Sequence, residues 1–125
     1  MKEFERWLKQ AEADFDIASY LLSGKKYYAC ANYCQQVVEK SLKALFILQK
    51  KELVKTHDVV KLGRLLSIPQ NLLVKVSSIE PIFKESKYPD ISENIPSEEY
   101  DLNDATEFFN TAEEVLIWCK NQMKL

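Results

Sequence analysis

The chain has 125 residues, and we expect residues 1–125 to form one domain that buries roughly two-thirds of the unfolded chain's surface. Hydrophobic residues make up 46% and charged residues 29%, a balance that excludes a disordered chain. The net charge of −2 excludes an overall positive field for nucleic acid or membranes, so any polyanion must bind at a local patch.

The scarcity of helix-breaking residues favours an all-α protein. Only two glycines and four prolines occur, too few for a turn-rich β fold. No apolar run approaches about 18 residues, so no membrane-spanning helix is predicted. The charged opening MKEFERWLKQAEADF does not resemble a signal peptide, and we expect a cytoplasmic protein.

Three cysteines form no C-x-x-C pair, and all of them fall on apolar helical stripes. Buried free thiols in a reducing compartment are therefore predicted. Because the chain has one histidine, a Cys/His metal site is not expected, and neither is a cofactor. The cysteines are Cys30, Cys34 and Cys119.

The first two predicted helices are long and amphipathic. Over 2–22 the apolar residues recur every three or four positions, and Ser23 and Gly24 end this helix. The same spacing predicts a second helix over about 27–50. At about 1.5 Å per residue both are near 30 Å long, which suits antiparallel neighbours.

Two shorter helices follow. The third is predicted over 56–66, with Thr56 as its N-cap. Pro69 suits the first turn of a fourth helix over about 70–86, and Pro81 is expected to kink or break that helix.

The segment 86–101, SKYPDISENIPSEEYD, contains two prolines and predicts a long loop. Asp101 or Asn103 then caps a last helix that runs to about 123. No strand pattern competes with these helices. The sequence therefore predicts an all-α fold, an up-and-down bundle of about five helices, of which three are long and two are short.

Polar residues of the second helix fall within one arc of about 100°, opposite its apolar stripe. By geometry alone this arc is a solvated face, on which Glu39 and Lys43 form an i,i+4 ion pair. Gln35 is assigned to solvent as well. The alternative is a working surface made by Gln36, Glu39, Lys40 and Lys43.

Asp14 lies at the flank of the apolar stripe of the first helix. A carboxylate in that position needs a partner or a water-filled groove, because burying a charge without a partner is costly. Lys40 or Lys43 of the second helix is the predicted partner.

His57 lies at the start of the third helix. One interpretation is a histidine that bonds to backbone in the capping region; the other is a general acid or base. The sequence shows no group that would orient this histidine. Lys50, Lys51 and Lys55 precede it and form one modest basic cluster, which complements a helix dipole or holds phosphate.

Taken together, four ordered blocks resemble the HEPN domain (higher eukaryotes and prokaryotes nucleotide-binding), over essentially the whole chain. The most specific block is QQ-x2-EK-x-LKAL over 35–45. The others are W-x3-A-x2-D-x3-A from Trp7 to Ala18, THD over 56–58 and KYPD over 87–90.

The resemblance implies a bundle of about five helices, commonly a homodimer, found in bacteria and archaea. It also implies a partnership with a minimal nucleotidyltransferase in a toxin–antitoxin-like pair. Other members of the superfamily are metal-independent ribonucleases that use an R-x4–6-H motif.

The chain departs from that ribonuclease pattern. Its only arginines are Arg6 and Arg64, and neither precedes His57 at the required spacing. Related sequences often have Arg-Tyr-Pro where this chain has Lys87 followed by Tyr88 and Pro. Lysine keeps the charge but loses the bidentate contact with phosphate.

The sequence therefore favours a non-catalytic binding module over an enzyme. In the proposed groove lysines hold phosphates, Tyr88 stacks on a base, Gln36 orients the ligand and Asp14 holds the lysines. The predicted binding residues are Asp14, Gln36, Glu39, Lys40, Lys43, His57, Lys87 and Tyr88. RNA and membranes are not predicted partners.

Two alternatives remain open. One is a divergent ribonuclease toxin that uses His57 as its general acid or base with lysine support. The other is a dimerisation scaffold without a ligand, which associates around Trp118 or around Tyr27 and Tyr28.

Overall fold

The computed structural model describes residues 1–82 and 95–124. This part of the chain forms six α-helices and no strand, which confirms the all-α prediction. The helices are α1 (Glu3–Ser23), α2 (Tyr27–Lys50), α3 (Val59–Leu65), α4 (Gln70–Ile79), α5 (Pro96–Glu99) and α6 (Leu102–Gln122).

The central element of the bundle is α2. The other five helices all pack against it, and α1 and α6 make the most extensive interfaces. Most side chains of α2 between 30 and 46 are therefore buried, well beyond the single apolar stripe that the sequence indicates. Hydrophobic burial on several sides of one helix is the main source of stability in this arrangement.

The long helices α1 and α6 also contact each other. The rings of Phe15 and Phe109 stack with their centroids 4.7 Å apart. At the surface, Lys120 Nζ donates to Glu12 Oε2 at 2.9 Å. The aromatic stack adds packing energy beyond its buried area, whereas the exposed ion pair adds little.

The starts of α3 and α6 are both fixed by aspartate caps. Asp101 accepts a hydrogen bond from Asp104 N at 2.8 Å, which confirms one of the two predicted caps. At α3 the prediction of Thr56 is wrong: Asp58 is the N-cap and accepts from Lys61 N at 3.0 Å. Thr56 instead accepts a hydrogen bond from Asp58 N, so its hydroxyl supports the turn before the helix.

Two features of the predicted elements involve prolines. The predicted interruption at Pro81 is present, because α4 ends at Ile79 and the ring of Pro81 prevents a regular continuation. Positions 83–86 of the predicted helix lie outside the described residues. The predicted loop contains the short helix α5, which starts with Pro96 at its first turn and carries Glu98 and Glu99 there. A fixed φ angle and two negative charges both favour a helix start.

The three cysteines are buried free thiols, as predicted. Cys30 Sγ and Cys34 Sγ lie 3.9 Å apart, one turn from each other on α2. Among the residues that the structure describes, no helix has the length and apolar character needed to cross a membrane.

Candidate functional site

The side chain of Glu39 is the centre of a polar network inside the bundle. It lies on α2 and is only 4% exposed. Its carboxylate accepts hydrogen bonds from Gln35 Nε2 at 3.0 Å and from Lys43 Nζ at 2.8 Å. Both carboxylate oxygens also lie 3.0 Å from His57 Nδ1. The buried charge is thus satisfied by three side chains, one of which comes from outside α2.

The electrostatics of this network favour the ionised carboxylate. Burial is the largest single effect and raises the pKa of Glu39. The hydrogen bonds from Lys43, Gln35 and His57 act together in the opposite direction and keep the pKa of Glu39 below its usual value. The carboxylate is therefore charged at neutral pH and pairs with the Lys43 ammonium.

A second buried carboxylate, Asp14 on α1, faces the same side of α2. Lys40 Nζ donates to Asp14 Oδ2, so the predicted pairing is present and Lys40 is the partner. Gln10 Nε2 donates to the other oxygen of Asp14 at 3.1 Å. Two buried carboxylates, one on each helix, thus hold two lysines of α2 in place.

Trp7 lines two clefts on this side of the bundle. Lys43 Nζ lies over the indole, 5.4 Å from the ring centroid. The indole Nε1 donates to Glu3 Oε1 at 3.2 Å. A cation on one face and a hydrogen bond at the edge together hold the ring in one orientation.

The first cleft has a volume of about 270 Å³ and is named here the histidine cleft. Its cationic groups are Lys43, which is buried, and Lys55, which is exposed. His57 adds a ring with a side chain that is 58% exposed. The lining residues are Trp7, Lys43, Leu53, Val54, Lys55, Thr56 and His57.

The second cleft has a volume of about 390 Å³ and is named here the arginine cleft. It mixes positive, negative and amide groups around the indole. The lining residues are Glu3, Arg6, Trp7, Gln10 and Lys40.

A larger open cleft, of about 570 Å³, lies between α3 and α4. Its cations, Lys61 and Arg64, are matched by Asp58 and Glu80 in the same lining. This balance of charge gives no preference for a phosphate, so the pair of clefts around Trp7 is the candidate site.

The structure divides the predicted groove rather than reproducing it. Lys43 and His57 line the histidine cleft, and Lys40 lines the arginine cleft. Glu39 and Asp14 lie behind these lysines as their partners. The two remaining predicted residues, Lys87 and Tyr88, fall outside the residues that the structure describes.

The solvated-face interpretation of α2 is wrong for three residues. Gln35 is fully buried, and Glu39 and Lys43 are nearly so, because other helices cover this side of α2. Gln36 is half-buried and donates to Gln35 Oε1 at 2.9 Å, so it continues the network and lines neither cleft.

Sequence reasoning also missed residues of α1 that line the site. Trp7 was assigned to the apolar stripe, and Arg6 and Gln10 were not singled out. A signal was present: positions 3, 7, 10 and 14 are spaced by four, three and four, so they share one face of a helix. Asp14 is expected to face the second helix. Trp7 and Gln10 share the same face of the first helix, so they are expected to face the second helix as well.

Replacing Glu39 with glutamine is expected to lower the free energy of unfolding at about pH 7 by about 3–5 kcal/mol, because buried Lys43 loses its counter-ion. The lowered pKa of Glu39 means that its contribution is fully present above the ordinary value of 4.5 and is lost as the pH falls. The difference between Glu39→Gln and the parent protein should therefore shrink in acid. Urea unfolding at several pH values measures both effects.

The matched control is Glu12→Gln, which removes a carboxylate from the exposed pair with Lys120. That change should alter the free energy of unfolding by less than about 1 kcal/mol at any pH. Equal losses in the two variants would contradict the importance assigned to the Glu39 network.

Comparisons with known proteins agree with this architecture. A family model described as "HEPN domain" matches residues 4–122. The crystal structure of ST0689, an archaeal HEPN homologue, is similar with a TM-score of 0.85 and 36% sequence identity, over 99% of this chain and 100% of that one. The crystal structure of TT1696 from Thermus thermophilus is similar with a TM-score of 0.88, over 98% of this chain and 100% of that one. At 22% identity it supports the fold alone.

A curated relative from Methanocaldococcus jannaschii is 30% identical over 138 residues, which span 99% of this chain and 90% of that protein. It carries the name "Putative toxin MJ1304". The family match covers nearly the whole chain, and the long-helix architecture agrees with it. The chain therefore belongs to the HEPN domain family.

Proposed function

We propose that this HEPN protein is a nucleotide-binding module with a toxin-type role. The observation that carries the proposal is the histidine cleft: an exposed lysine and histidine lie beside a buried Glu39–Lys43 pair, against a fixed indole. A phosphate group suits the cationic side chains, and an aromatic wall suits a base.

The charge of the histidine cleft is opposite to that of the whole protein. The chain as a whole carries −2, whereas the lining of this cleft contains two lysines and, among the described residues, no acidic one. Glu39 lies behind the lining and neutralises Lys43, which leaves Lys55 as the outer cation. Local attraction for a phosphate therefore comes mainly from Lys55, supported by His57.

Five residues of the predicted groove enter this proposal. Lys43 and His57 contact the phosphate, while Glu39 orients them both. Lys40, which is held by Asp14, borders the neighbouring arginine cleft.

Replacing Lys55 with alanine is expected to weaken nucleotide binding about tenfold at low salt, since it removes one exposed phosphate contact. Isothermal calorimetry with the four ribonucleoside triphosphates measures the change. The weakening should fade as salt is added, because the attraction is electrostatic.

The control for that experiment is Lys120→Ala, which removes an exposed lysine of α6 that lines neither cleft. It should leave nucleotide affinity unchanged. If the parent protein binds no nucleotide at all, the proposed binding function is wrong.

A second function, RNA cleavage, is favoured by one contact. The sequence shows no group that would orient His57, yet the structure has both oxygens of Glu39 at 3.0 Å from its Nδ1. A carboxylate on Nδ1 fixes the orientation of the imidazole. His57 is also the only histidine of the chain.

In this alternative, His57 Nε2 takes the proton of a ribose 2′-hydroxyl. The 2′-oxygen attacks the adjacent phosphorus, the bond from phosphorus to the 5′-oxygen breaks, and the leaving 5′-oxygen takes a proton from water. The proton held by His57 then neutralises the resulting hydroxide and restores the imidazole. The products are a 2′,3′-cyclic phosphate and a 5′-hydroxyl. Lys55 and Lys43 would stabilise the charge that develops on the phosphate. The R-x4–6-H arginine is absent from the sequence, so this route depends on lysine support.

If the protein cleaves RNA, His57→Ala should reduce the rate by about 10²–10⁴-fold, the usual size of a general acid–base contribution. Cleavage of a fluorescent oligoribonucleotide without added metal measures the rate. Lys120→Ala should retain full activity. A clean preparation of the parent protein that leaves RNA intact removes this alternative.

We also propose that the protein forms a homodimer and pairs with a minimal nucleotidyltransferase. The HEPN family resemblance and the name of the curated relative support a place in a toxin–antitoxin-like pair. Exposed apolar side chains on α1, Ile17 at 40% and Tyr20 at 80%, support a surface that another chain covers.

Light scattering after size-exclusion chromatography should give about twice the chain mass of 14.6 kDa. When the protein is co-expressed with a nucleotidyltransferase encoded beside it, the two should co-purify in a fixed ratio. A monomer that leaves the nucleotidyltransferase behind at micromolar concentration would contradict both associations.

A further inference from the structure

We propose that a nucleotide bridges the two clefts that share Trp7, with its phosphates in the histidine cleft and its base in the arginine cleft. This inference rests on the proposed nucleotide-binding function and adds a base subsite to it. It starts from the observation that Trp7 lines both clefts, so that one ring is shared by two different chemical environments.

The two faces of the indole are not equivalent. The ammonium of Lys43 lies over the ring, 5.4 Å from its centroid, and Lys43 lines the histidine cleft but not the arginine cleft. A base stacked on that face would have to displace Lys43 from both Trp7 and Glu39. A base in the arginine cleft can meet the indole without displacing Lys43, because Lys43 does not line that cleft.

The polar groups of the two clefts also favour the phosphates in the histidine cleft and the base in the arginine cleft. The lining of the histidine cleft contains the cations Lys43 and Lys55 and the ring of His57, a set that suits phosphate. The arginine cleft offers a carboxylate, a guanidinium and an amide in Glu3, Arg6 and Gln10. Its other cation, Lys40, is paired with Asp14. Hydrogen-bond donors and acceptors side by side match the edge of a base, which also presents both.

The groups of the arginine cleft are positioned for this role. Arg6 is strongly exposed, and its contact with Glu3 is long, at 3.4 Å, so a ligand can replace it at little cost. Trp7 itself is held by Glu3 at its edge and by Lys43 on its face. A rigid ring beside adaptable polar groups is the arrangement that stacks many bases and reads them only in part.

The first test compares the only two arginines of the chain. Arg6→Ala should weaken the binding of each ribonucleoside triphosphate about tenfold, while the binding of inorganic triphosphate stays the same. Arg64→Ala, in the separate cleft between α3 and α4, should change neither. Lys55→Ala should weaken both kinds of ligand, because inorganic triphosphate shares the phosphate subsite.

The second test follows Trp7 directly. Trp118→Phe leaves Trp7 as the only tryptophan, and ribonucleoside triphosphates should then quench its fluorescence by stacking. Inorganic triphosphate should bind without that quenching.

The outcomes separate the two proposals. Nucleotides that bind without quenching Trp7, and with equal affinity in the Arg6→Ala variant and the parent, would place the base elsewhere and overturn the bridging mode while nucleotide binding stands. Absence of binding by every triphosphate tested would overturn the proposed function and the bridging mode together.

Discussion

The buried carboxylate of Glu39 is the constraint on which the arrangement of the site depends. A charge that is 4% exposed must be compensated inside the protein, and three side chains supply that compensation. Two of them, Gln35 and Lys43, come from the same helix at positions four residues away. His57 comes from the segment before α3, so the network ties that segment to the central helix. The position of the histidine cleft follows from this tie.

The helical fold could be predicted because the spacing of apolar residues within each helix shows which of its sides is buried. The spacing of apolar residues by three and four predicts a helix over about 27–50, and α2 spans Tyr27–Lys50. Caps were harder to predict, since Thr56 and Asp58 both have the chemistry of a cap and only the local backbone decides between them. The short helix α5 lies in a segment that the sequence predicts as a loop, because a four-residue helix is too short to show periodicity.

The candidate site could be predicted only where the position of a single residue required a charge partner. Asp14 was such a residue, and the expected lysine partner is present. The burial of Gln35 and Glu39 could not be predicted, because the periodicity of one helix does not tell how many neighbours cover it. The role of Trp7 was missed for a related reason: an indole on an apolar stripe has the same sequence signature whether its outer edge meets protein or a cleft.

The packing of α6 against α1 and α2 also has a consequence for how the protein is made. The ion pair between Lys120 and Glu12 joins residues that are 108 positions apart, and the stack of Phe15 on Phe109 spans nearly as far. During synthesis α1 and α2 can pair early, because their contacts are local. The apolar side of this helix pair that α6 covers in the folded protein stays exposed until α6 emerges from the ribosome. A chaperone that acts during translation would bind this exposed apolar side.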